Sequence, residues 1–123
     1  MRSTLEMSKG AYPIAQKVHL GNLSRTQGVV KISEQTGMAE GSAGAFITIF
    51  LAMLSGETYK RAFNNDTNRF LLERIRIDYG EEAFRKALKA VQGHINYYGT
   101  LGKGDLTGLQ RIVDELKSSK YCM

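Results

Sequence analysis

Few residues in this chain have a type and spacing that could perform covalent chemistry. The two histidines, His19 and His94, stand far apart, and Cys122 is the single cysteine. A zinc site needs about four clustered nitrogen, sulfur or carboxylate ligands, so no metal is expected. Asp78, Glu81 and Glu82 flank Gly80. Carboxylates around a glycine stop read as helix-end charges, not as an acid and its base. The sequence contains no nucleophile elbow, no Cys–His pairing and no phosphate-cradling glycine loop. The glycine-rich stretch 99–104 lacks the strand-to-helix setting that such a loop requires. These readings predict a non-enzymatic chain with no cofactor. His94 lies on a helical stripe with Phe84, Ala87, Leu88, Val91, Ile95 and Tyr98, which predicts a buried, hydrogen-bonded imidazole. His19 ends a helix, where a cation suits the dipole.

The remaining polar chemistry is basic. Seventeen Lys and Arg against twelve Asp and Glu leave a net charge of +5, which makes polyanions plausible partners without saying anything about fold. Arg69, Arg74 and Arg76 share a helix with Glu73 and Asp78; the pairs Arg69–Glu73 and Arg74–Asp78 have the i,i+4 spacing of ordinary surface ion pairs. Lys60 and Arg61, and the trio Arg85, Lys86 and Lys89, are less compensated. They are the candidate phosphate contacts. Tyr59, Phe63 and Phe70 accompany one group, and Tyr97 and Tyr98 the other. Such rings can stack on unpaired bases, or they can pack in a core or an interface.

Periodic apolar residues place these groups on helices. A length of 123 residues and 42% hydrophobic residues fit one globular domain, expected as a compact all-α bundle of about six helices. The first is predicted over 13–20, with Pro13 in its first turn, where a missing N–H costs nothing. The second spans 25–36, opened by a Ser24/Gln27 capping box and stopped by Gly37. The third, 42–55, is apolar on all sides, as a central helix or a dimer seam would be. The fourth, 67–79, follows the cap-forming run Asn64-Asn65-Asp66; 57–65 is either a helical continuation or a link. The fifth covers 81–98. The sixth starts after Thr107 with Gln110 at capping-box spacing. Residues 1–10 read as a disordered tail or added residues, and 119–123 as a frayed end; the domain is expected over 11–118. No run reaches the ~18 apolar residues of a membrane span, and no secretory h-region is visible at the start. A cytoplasmic, membrane-free location is the expectation.

One unit, 29–48, has a mechanism attached. A helix-turn-helix needs a small residue midway along its first helix, a glycine in the turn and apolar inner faces. Ser33, Gly37 and the set Ile32, Met38, Ala43 and Phe46 meet those needs in register. The following helix carries no Lys or Arg, although base edges are usually read by Arg, Lys, Asn or Gln. Either the unit is a structural corner, or it meets DNA through Gly41 and Ser42, small residues that let a helix N-terminus approach a phosphate.

The order of pieces also resembles a family. Ala11-Tyr12-Pro13-Ile14-Ala15 precedes Gly37-Met38 and Gly41-Ser42-Ala43. The run from Phe50 through Leu51-Ala52-Met53-Leu54-Ser55-Gly56-Glu57-Thr58 to Tyr59 follows, then Asp78-Tyr79-Gly80 and His94-Ile95-Asn96-Tyr97-Tyr98. Over roughly 11–113 the chain is similar to the helical domain at the N-terminus of some bacterial restriction endonucleases, including ones with an HNH nuclease downstream. The resemblance implies an accessory module in DNA restriction that engages duplex DNA or pairs subunits, with a nuclease domain in cis or in trans. It does not imply cleavage, since no HNH motif follows here. Two functions stay open at this stage: a DNA-binding module, with candidate contacts Gly41, Ser42, Lys60, Arg61, Arg85, Lys86 and Lys89, and an interaction module that forms a homodimer.

Overall fold

The computed structural model describes residues 4–61, 63–100 and 106–118. Among them are six α-helices and no strand: α1 (Leu5–His19), α2 (Arg25–Thr36), α3 (Glu40–Ser55), α4 (Asn65–Tyr79), α5 (Glu81–Thr100) and α6 (Thr107–Ser118). The all-α expectation therefore holds. Where the sequence reads as one domain, the chain divides into two compact units, Met1–Leu51 and Ala52–Met123. No single helix among the described residues is long and apolar enough to cross a membrane. The expected frayed end, 119–123, and most of the glycine-rich loop 99–104 lie outside the described residues.

In the first unit, α1 begins two turns before the expected start. Thr4 caps it by accepting from the Met7 N–H at 3.2 Å, and Ser8, Ala11 and Tyr12 are buried. Residues 5–10 are thus helix, not tail, and Pro13 sits inside α1. An interior proline costs a helix about 3 kcal/mol. Burial of Tyr12, Ala11, Ile14 and Ala15 along the same helix offsets that. The α2 capping box forms in both directions: Gln27 N–H to Ser24 Oγ at 3.1 Å, and Ser24 N–H to Gln27 Oε1 at 2.9 Å. Gly37 ends the helix at φ 81°, its N–H donating to the Ser33 carbonyl. α3 then departs at 119° to α2, within the range of about 90–120° for a helix-turn-helix. A close approach to α2 lies at Gly28, which is buried: a Cβ there would meet Val18 Cγ2 of α1 at 2.5 Å and Ile47 Cδ1 of α3 at 3.2 Å. Ser33, expected where α3 crosses α2, is half-buried.

α3 is buried on nearly every side. Ala43, Phe46, Ile47, Ile49, Phe50 and Met53 are 0–1% exposed, and Ala45 and Ala52 are below a tenth.

In the second unit, the ambiguous stretch after Gly56 is a link, not helix. Asn64 caps α4 by accepting from the Thr67 N–H at 2.7 Å. Gly80, at φ 95°, separates α4 from α5. α6 packs against α5 and α4 through Leu109, Val113 and Leu116. Gln110 does not cap α6. Its amide faces Gln92 of α5 and makes two reciprocal hydrogen bonds, 2.8 and 2.9 Å.

Candidate nucleic-acid interface

The corner formed by α2, Gly37 and α3 supplies little that could read a base. On the outer side of α3, Gly44 and Thr48 are half-exposed, and Arg25 of α2 lies across them, donating to the Gly44 carbonyl at 2.9 Å and to the Thr48 hydroxyl. A recognition helix needs several long polar side chains facing the groove, and α3 exposes one, the carboxylate Glu40 in its first turn. At its start, Gly41 is exposed and Ser42 half-buried. A Cβ at Gly41 would meet nothing within 4 Å, so no packing inside the chain demands a glycine there.

The second unit gathers charge. Arg85, Lys86 and Lys89 are all exposed on α5. Arg85 and Lys89, one helical turn apart, line a cleft of about 730 Å³ together with Arg76 from the end of α4 and Lys117 from the end of α6. Among the described residues, Glu81 is the one carboxylate on its wall. Arg76 is committed: its Nε lies 2.5 Å from Glu81 Oε1, its side chain is 8% exposed, and its guanidinium sits 4.2 Å from the centre of the Phe84 ring. Among the described residues, Arg85, Lys86, Lys89 and Lys117 have no ion-pair partner. Lys86 occupies the neighbouring stripe, its Cβ 3.5 Å from where a Cβ on Gly56 would stand, and does not line the cleft.

Lys60 and Arg61 stand exposed in the link ahead of α4. Lys60 Nζ lies 5.5 Å from the centre of the Tyr97 ring; an exposed cation over a ring is worth about 0.5–1 kcal/mol. The expected surface pairs form: Arg69–Glu73 at 3.5 Å and Arg74–Asp78 at 3.1 Å. Arg69 also reaches Glu115 of α6 at 2.5 Å.

A buried polar chain anchors the link that carries Lys60. Tyr59 is 2% exposed and donates its phenol to Asn68 Oδ1 at 2.7 Å; Asn68 donates in turn to the carbonyls of Phe63 and Asn64. The Tyr59 ring stacks on His94 at 4.4 Å. His94 Nδ1 lies 2.7 Å from the Tyr59 carbonyl, and since a carbonyl only accepts, that nitrogen carries the proton. His94 is 1% exposed, as its place on the apolar stripe predicts. Burial lowers its pKa, against an upward pull from the bond to Tyr59. Burial likewise pushes the Tyr59 phenol well above its ordinary value.

One further close contact fixes the link. A Cβ on Gly93 would lie 2.1 Å from Thr58 Oγ1, so the link crosses α5 at van der Waals range only because residue 93 has no side chain. Thr58 and Gly93 both line the cleft.

Sequence reasoning brought Arg85 and Lys89 into one group but missed Lys117. Its helical spacing from Val113, four residues earlier and also on the cleft wall, was the available signal. Gly41 and Ser42 belong to the other unit. No group of three or more metal-ligating side chains occurs among the described residues. No protein-family model, no curated protein and no solved structure matches the chain.

Proposed function

We propose that this chain is a non-catalytic DNA-binding module, of the accessory kind that its resemblance to the helical domain of restriction endonucleases implies, acting with a nuclease domain in cis or in trans. The observation that carries this reading is the exposed, uncompensated trio Arg85, Lys86 and Lys89 on α5. Lys60 and Arg61 extend the set within the same unit. Cations without carboxylate partners lose nothing when they turn to phosphates, and each neutralised phosphate releases counterions. Binding of this sort tracks the backbone and does not read sequence. That agrees with an α3 whose outer side, past Glu40 in its first turn, holds only short side chains and Arg25. Gly41 and Ser42 add backbone N–H groups at the α3 N-terminus that suit a phosphate. A reducing compartment, the cytoplasm, fits a chain with a single cysteine.

Anisotropy titrations of labelled duplexes at several salt concentrations test this. Arg85→Ala, Lys86→Ala and Lys89→Ala should each weaken binding evenly across sequences and lower the salt slope by about one unit. Ser42→Glu, which puts a carboxylate where a phosphate would sit, should weaken it further while the fold survives, since a helix N-terminus tolerates acid. Folded wild-type protein without affinity for any duplex at low salt would overturn the reading. Salt-insensitive self-association on a sizing column would favour pairing of copies instead.

A further inference from the structure

We infer that the cleft of the second unit seats a single nucleotide unit, one phosphate with its base, as distinct from the continuous backbone of a duplex. This deepens the DNA-binding reading and rests on it for the choice of ligand. A volume of about 730 Å³ lies within the roughly 300–1,000 Å³ of small-molecule sites, and a duplex is too thick to enter it.

Three kinds of chemistry meet in this one cavity. Arg85, Lys89 and Lys117 line it from two helices without ion-pair partners among the described residues, which calls for an anion. They can supply several charge-assisted hydrogen bonds to one phosphate. Arg76 does not compete for that role, being held by Glu81 and the Phe84 ring. Half-buried Leu88 presents apolar surface next to these cations, which a bare inorganic anion would leave uncovered and a planar base would bury. Asn96, exposed on α5 at the same cleft, accepts from Gln92 through its amide oxygen at 3.2 Å, which leaves its amide N–H groups to donate to the edge of such a base. The Gly93–Thr58 contact holds the link against α5 beside this wall, so the cavity exists before any ligand arrives and little ordering cost attends binding.

The ligand chemistry has two sources, a free nucleoside monophosphate or an unpaired nucleotide within a strand. Calorimetric titration with nucleoside monophosphates, with a short single-stranded oligonucleotide and with inorganic phosphate separates them. The expected result is binding of the monophosphates, or of the oligonucleotide alone if the unit must belong to a strand, and much weaker binding of inorganic phosphate. Leu88→Trp fills the cavity without changing charge, and Lys117→Gln removes a cation outside the set assigned to duplex contact. Each should weaken nucleotide binding by about tenfold or more, the scale of one charge-assisted contact, while the duplex salt slope of the wild type is kept. Circular dichroism on each variant establishes that it is folded, and Lys117→Gln, at an exposed position, serves if Leu88→Trp is not. Inorganic phosphate that binds as well as the monophosphates or the oligonucleotide do, or a wild type that binds neither monophosphate nor oligonucleotide, overturns the inference even if duplexes bind. Nucleotide binding without duplex binding sustains the inference and overturns the proposed function.

Discussion

Alanine at position 93 sets two opposing effects against each other. Alanine is favoured over glycine in a helix interior by about 1 kcal/mol, and α5 has its residues 81–92 ahead of Gly93 and 94–100 after it. By propensity alone, Gly93→Ala stabilises. The new Cβ, however, would stand 2.1 Å from Thr58 Oγ1, 3.1 Å from Thr58 Cβ and 3.3 Å from Thr58 Cγ2. Rotation about χ1 can swing the hydroxyl away, but it cannot move the Thr58 Cβ, so the link itself must shift. Tyr59, the next residue, is held by its stack on His94 and its bonds to His94 and Asn68, which resists the shift. Overpacking of this kind costs about 1–3 kcal/mol, leaving a net destabilisation of about 1 kcal/mol after the propensity gain. Thr58→Gly removes the obstacle. In that background Gly93→Ala should stabilise by about 1 kcal/mol, so the two changes couple by about 2 kcal/mol. Urea denaturation of the four proteins, with unchanged m values, measures this directly. A stabilised Gly93→Ala single variant, or additive effects within about 0.5 kcal/mol, would refute the close approach.

Two further perturbations bear on the interior. His94 resists protonation when folded, so below its ordinary value of about 6.5 the unfolded chain binds the proton that the folded chain excludes; stability should drop as the pH is lowered through that range, by at most about 1.4 kcal/mol per unit. His94→Phe keeps a ring against Tyr59 and removes the titration, so its denaturation midpoint should vary less between pH 7 and pH 5, and parallel profiles would contradict the assignment. Phe50 is fully buried in α3 and meets Tyr12 edge-on at 5.4 Å between ring centres; Phe50→Ala should cost about 3–5 kcal/mol in the same urea assay, and a loss below about 1 kcal/mol would mean the ring is not in a core.

Local chemistry was legible wherever one side chain satisfies a neighbour in sequence. Ser24 with Gln27, Gly37 and Asn64 act through partners three or four residues away, and their roles follow from residue type. The same rules misled where distant packing outbid them. Pro13 looks like a helix start, yet burial of Ser8, Ala11 and Tyr12 carries α1 back to Leu5. Gln110 has capping-box spacing, yet Gln92, eighteen residues earlier, takes its amide. The all-apolar pattern of α3 announced burial, but the close approach of α1 at Gly28 was not legible. Within the site, the helical period alone groups Arg85 with Lys89. Lys117 joins them only because α6 folds back on α5, and nothing in the sequence states that angle. The Tyr59–Asn68 bond was equally hidden, since the link that carries Tyr59 has no periodicity to reveal its inward face.

The reciprocal bond between Gln92 and Gln110 bears on how α6 finds its place. Leu109, Ile112, Val113 and Leu116 repeat at helical spacing, so sliding α6 by one turn along α5 would still set apolar groups against apolar groups. Adhesion of that kind is indifferent to position. The paired amides are not: their two hydrogen bonds close only when residue 110 stands opposite residue 92, and a slipped arrangement would lose both, at about 0.5–1.5 kcal/mol each, leaving each amide only its bond along its own helix, Gln92 to Asn96 and Gln110 to Asp114. The oily stripe supplies the grip and the amides supply the address. It is this address that sets Lys117, at the far end of α6, over the same hollow as Arg85 and Lys89.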